Sequence, residues 1–210
     1  MIERVAVWFN QGGTFMWILL FVAAAALAVA FERCIYYFIV CRRNGDTILA
    51  KLTDAITSGN NDTAKGIVAR GAAPLNALLR AAINRFVTGA RPETVQETVA
   101  HAAIKEVPKL SKRLNYLALI ANIATLLGLL GTIAGLQISF SSLASVDAAQ
   151  KAAMLAKGIS AAMNTTAFGL IIAVPCMALY TMLNNRQQEL VKDIDDSIVR
   201  LLAVMKETAA

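Results

Sequence analysis

Two quoted runs decide what this chain is: TLLGLLGTIAGLQISFSSLA (residues 125–144) and GISAAMNTTAFGLIIAVPCMALY (residues 158–180). Each is about 20 residues of mostly apolar sequence, the length that a helix needs to cross a bilayer. Yet both carry a line of Thr, Ser and Gly instead of uniform Leu and Ile. In the first, Thr125, Thr132 and Ser139 recur every seven residues and so share a helix face. Gly128, Gly131 and Gly135 lie beside them, and Gly131 to Gly135 is a G-x-x-x-G step. In the second, Ala162, Thr166, Gly169 and Ala173 keep the helical i, i+4, i+7, i+11 spacing, with Asn164 and Thr165 adjacent and Pro175 removing one backbone donor. Small residues let helices pack closely, and a threonine can bond back to its own helix. Two matching stripes on successive spans also fit the wall of an ion path.

The whole chain has the same character. Of 210 residues, 57% are hydrophobic and only 16% charged, well below the quarter that is usual in a soluble domain. A further apolar run begins at Thr14 and ends at Phe31. Ala28-Val29-Ala30 has the A-x-A form of a signal cleavage site. However, the basic residues follow the run, at Arg33, Arg42 and Arg43, which reads as a retained span with a cytoplasmic C-terminal end. Twelve of the 20 Lys and Arg lie in residues 42–113, against two in residues 145–157. The long loop is therefore expected inside and the short one outside. The net charge of +6 belongs to this topology and is no argument for nucleic acid. Lys105, Lys109, Lys112 and Arg113 mark the inner edge, where they favour anionic membrane lipid.

The expected architecture is an all-α membrane protein with three transmembrane helices, two of them long. Residues 1–13 form an external amphipathic segment with Trp8 at headgroup level. Spans follow over residues 14–41, 114–144 and 158–183. Residues 42–113 make a helical cytoplasmic domain, 145–157 an external hinge, and 184–210 a cytoplasmic amphipathic tail with Leu190, Ile194, Ile198 and Leu201 on one face. Within the domain, Asp46 and Asp62 are candidate caps, and Pro74 and Pro92 open helices. The stripes are Ile48, Leu49, Leu52 and Ile56, then Leu75, Leu78, Leu79, Ile83 and Phe86, then Val95, Val99 and Ile104.

No enzyme site is apparent. Cys34, Cys41 and Cys176 form no C-x-x-C and read as buried hydrophobes, and His101 is the single histidine, without ligand-type neighbours at helical spacing. No catalytic, metal or cofactor set is expected. Nor does any Asp, Glu, Lys, Arg or His lie mid-span, although a proton relay across a bilayer normally needs a titratable group. Either the chain conducts nothing and only holds a partner, or another chain supplies the carboxylate.

At these residues the sequence resembles the ExbB/TolQ/MotA family of ion-driven stator channels. GLLGTIAGLQISF (128–140) is similar to the family's second-span motif. Residues 158–180, with the Thr-Ala-x-Gly-Leu core at 166–170 and the later Pro175 and Tyr180, are similar to its third-span motif. FERCIYY (31–37) also fits, and three spans place the chain nearer ExbB and TolQ than MotA. The resemblance implies a homopentamer in the bacterial inner membrane, N-terminus out and C-terminus in. It would surround two copies of an ExbD/TolR-like single-span partner whose membrane Asp carries H+ or Na+, and the partner would pass the work to an envelope process. Thr132 and Thr166 match the family's pore threonines. Thr125, Asn164 and Thr165 would add to the path, and Glu32, Arg33 and Tyr180 are candidate partner or interface contacts. One departure stands out: Ala161 occupies a position where ExbB and TolQ usually carry Glu.

Overall fold

The computed structural model describes residues 9, 12–41, 45–69, 71, 73–143 and 147–209. Most of the amphipathic segment expected over residues 1–13, including Trp8, lies outside them. Every regular element among the described residues is helical. They are α1 (Thr14–Ile35), a π-helical turn (Tyr36–Val40), α2 (Gly45–Thr57), α3 (Asn61–Ala69), α4 (Pro74–Val87), α5 (Pro92–Glu106), α6 (Pro108–Ser111), α7 (Asn115–Ser142) and α8 (Ala148–Ala209). The chain forms two compact units. One comprises Met1–Glu32 with Arg113–Thr181, the other Arg33–Lys112 with Met182–Ala210.

The first unit holds the apolar spans. Among the described residues, three helices are long and apolar enough to cross a membrane. α1 has no Pro or Gly, and its 22 residues reach about 33 Å at 1.5 Å per residue, close to the ~30 Å hydrocarbon thickness. It buries Leu19 and Ala26 against Ala121 and Ala124 of α7 and against Ile172, Ala173 and Cys176 of α8. Its other faces leave Trp17, Phe21, Leu27 and Phe31 open. Large side chains stay open on α7 and α8 too, among them Leu126, Ile133, Ile138, Ile171 and Val174. Such a surface suits lipid or further subunits rather than water.

The second unit contains the shorter helices between the first two spans, and the tail. α2 packs on α3, α3 on α4, and α4 on α5. Leu52, Leu78, Leu79, Ile83 and Val95 are fully buried, because each stripe presents one face to its neighbour. Ile104 is 72% exposed instead of joining Val95 and Val99. It lies five positions beyond Val99, which at 3.6 residues per turn rotates it off that face. The caps also differ from expectation. α2 already includes Gly45, so Asp46 sits in the first turn, where it complements the helix dipole. The cap of α3 is Asn60, whose Oδ1 accepts from Thr63 N at 3.1 Å; Asp62 lies in the first turn. Gly59, Gly71 and Gly89 take positive φ where the chain reverses between helices. In the tail, Leu190, Ile194, Leu201 and Met205 are buried.

Two boundaries moved. Span three and the tail are one helix of 62 residues, because NNRQQE at 184–189 contains no helix breaker. The expected hinge is mostly helical as well. α8 starts at Ala148, directly after Asp147, and AAQKAAMLAK is rich in the strongest helix formers.

Candidate functional site

α7 and α8 run antiparallel and meet along their small residues. A side chain added at Gly169 would put Cβ 2.6 Å from the Ala124 carbonyl oxygen. At Gly128 it would meet Thr166 Cα at 3.2 Å, at Gly131 the Thr165 hydroxyl at 2.6 Å, and at Gly135 the Ala162 methyl at 3.0 Å. At Gly158 it would overlap Ser139. The contacts progress from Ala124 to Ser139 along α7 while they run back from Gly169 to Gly158 along α8. Glycine is therefore required by close backbone approach, as in other membrane helix pairs.

The hydroxyls fall into two groups. Thr165 is 2% exposed and donates to the Ala162 carbonyl at 2.7 Å. Half-buried Thr166 donates across the pair to the Gly128 carbonyl at 2.8 Å. Ser139 is buried and bonds the Gly135 carbonyl at 2.7 Å. These three belong to the helix–helix seam. Thr132, half-buried, donates to Leu129 O at 2.6 Å, and exposed Thr125 donates to Ala121 O at 3.0 Å. Both thus satisfy their donors within α7 and keep oxygen lone pairs available as acceptors. The seven-residue series that begins exposed at Thr125 ends buried at Ser139, since an α-helix drifts about 20° per heptad. Asn164 is half-buried on α8. Pro175 lies inside α8, and the helix continues past it.

Both Glu32 oxygens accept from one Arg113 nitrogen at 2.8 Å, an intrachain pair at the foot of α7. Arg113 adopts φ +62°, a left-handed backbone unusual for a side chain of its size. Arg33 is 5% exposed and stacks its guanidinium 5.1 Å from the Tyr36 ring centre. It does not snorkel outward. Tyr180 is half-buried. Sequence reasoning missed Ala124 and Gly158, which complete the seam. Their signal was the antiparallel register itself, which the Gly135–Ala162 match would have extended to both ends.

A three-span chain whose second and third spans meet through such a seam can be compared with known proteins. The model of the MotA/TolQ/ExbB proton channel family matches residues 70–196, which takes in the seam and α4 to α6. The chain belongs to the MotA/TolQ/ExbB proton channel family. It is 26% identical over 201 residues to the "Putative biopolymer transport protein ExbB homolog" of Methanothermobacter thermautotrophicus, covering 95% of this chain and 67% of that one. It is 37% identical over 107 residues to the "Tol-Pal system protein TolQ" of Pseudomonas aeruginosa, covering 49% of this chain and 46% of that protein. To the "Biopolymer transport protein exbB1" of Vibrio cholerae it is 48% identical over 65 residues, 31% of this chain and 28% of the relative. The chain thus spans about two thirds of the Methanothermobacter protein and under half of the TolQ. The three helices and the family together make it a multi-pass membrane protein of channel-subunit type.

Proposed function

We propose that this chain is the channel-wall subunit of an ion-driven stator in the inner membrane. Several copies, five by the family resemblance, surround a single-span ExbD/TolR-like partner. The observation that carries the reading is a division of labour on α7. Its glycine face is consumed by α8, while Thr125 and Thr132 turn acceptor oxygens away from the seam. None of the three spans contains a mid-membrane charge, so the wall is half of a path and the partner's carboxylate is the other half. Membrane Asp on the partner would load H+ or Na+ against this wall, at about 2.3 kcal/mol per charge per 100 mV. The relatives' names, biopolymer transport and Tol-Pal system, support an envelope process as the load.

In the assembled complex, Thr132→Val removes the acceptor at nearly constant volume. It should cut ion flux into proteoliposomes at least about tenfold while pull-down of the partner is unchanged. Wild-type flux in that variant would sink the reading. The missing mid-span charge also favours a second reading, a non-conducting scaffold that only holds its partner. On that reading, collapsing the membrane potential leaves the partner's activity unaltered.

A further inference from the structure

Asn122 is a polar side chain inside a span that neither the seam nor the threonine wall has used. It lies in the apolar run LALIANIATLLGLL (117–130), about 10 Å along α7 from the helix's first residue. Ala121 and Ala124 beside it are buried against α1 and α8, while Asn122 itself is exposed. Its amide makes no hydrogen bond among the described residues. Acyl chains cannot satisfy such a group as water would, so an amide left to lipid is costly. The step of three residues puts Asn122 next to Thr125 on one helix face, with Cβ atoms about 5–6 Å apart. Thr132, ten residues on, lies within about 80° of it around the axis. Both threonines spend their protons on the Ala121 and Leu129 carbonyls and only accept. Asn122 adds the N–H donors that those threonines lack. The other two amides of α7 stand elsewhere: Asn115 is its first residue, and Gln137 is turned about 140° from Thr132.

We propose that Asn122 and Thr125 form one carboxyl-binding station, Asn122 Nδ2 donating to the ionised carboxylate of the single-span partner and Thr125 Oγ1 accepting from the same carboxyl once protonated. This rests on the channel-wall reading above. The proton that moves is the carboxyl's own, taken from or returned to water, and neither side chain gains or loses one. A second copy of this chain brings no Asp or Glu to mid-span, so the occupant that fits is a different helix carrying a carboxylate. The test uses the complex of the full chain with its partner in proteoliposomes. Labelling of the partner's carboxyl by dicyclohexylcarbodiimide, which attacks the protonated form, is followed against pH. Asn122→Leu removes the donor to the ionised form and should raise the labelling midpoint by about one pH unit, a tenfold change in the equilibrium. Thr125→Val removes the acceptor for the protonated form and should lower it. Asn122→Gln keeps the amide and should stay within about 0.3 pH unit of wild type. Because Asn122 is exposed, leucine there displaces no packed neighbour, and pull-down of the partner should be unchanged. An unmoved or lowered midpoint in Asn122→Leu overturns the proposal and leaves the channel-wall reading standing. So does a smaller oligomer with an unmoved midpoint, which would place Asn122 between copies of this chain. Absence of any labelled carboxyl on a partner overturns both.

Discussion

Gly169→Ala is the sharpest probe of the α7–α8 seam. The added methyl carbon would sit 2.6 Å from the Ala124 carbonyl oxygen and 3.2 Å from Gly128 Cα, where ordinary contact begins at 3.4 Å. Both obstacles are backbone, so no side chain can rotate aside. The helices must part by about 0.8 Å locally, the difference between 2.6 and 3.4 Å. The Thr166–Gly128 bond one turn away, now 2.8 Å, would then stretch past hydrogen-bonding range. Overpacking of this kind costs about 1–3 kcal/mol, and an interhelical hydrogen bond in a membrane averages about 0.6 kcal/mol. The expected destabilisation is therefore about 2–4 kcal/mol. Equilibrium unfolding in mixed detergent micelles, followed by far-ultraviolet circular dichroism, reads this directly. A change under about 0.5 kcal/mol would refute the close backbone approach, and with it the argument that Thr125 and Thr132 are left for another chain because the glycine face is occupied.

Gly66→Ala makes the opposite prediction with the same chemistry. Gly66 is inside α3 with nothing within 4 Å of an added Cβ, so the methyl should stabilise the second unit by about 0.5–1 kcal/mol, seen as a raised thermal midpoint. Asn60→Ala removes the cap of α3 and should cost about 1 kcal/mol, with amide exchange accelerated first at Thr63. At position 113 the substituent order should invert the usual one. The half-exposed pair with Glu32 contributes at most about 1 kcal/mol, while the left-handed backbone at φ +62° strains any residue but glycine by about 1 kcal/mol or more. Arg113→Gly should therefore unfold at a higher temperature than Arg113→Ala, and the reverse order would contradict the assigned backbone.

The sequence by itself determined the three long apolar helices, the shorter helices between the first two of them and the family motifs. These rest on local quantities: apolar length, 3.6-residue periodicity, and the positions of Pro74 and Pro92, all legible without a neighbour. Its errors were local as well. The hinge over 145–157 was read from polarity, where alanine propensity wins, and Asp62 was chosen over Asn60 among adjacent capping residues. Only the tertiary structure separated the threonines. By periodicity Thr125, Thr132 and Ser139 are equivalent, and so are Thr165 and Thr166 by composition. Packing distinguishes them because α7 and α8 touch along a line while a heptad drifts about 20° around the helix. That drift carries Ser139 into the seam and leaves Thr125 outside it. Which face a partner helix covers depends on the register of two separate segments, and no periodicity within either segment contains that register.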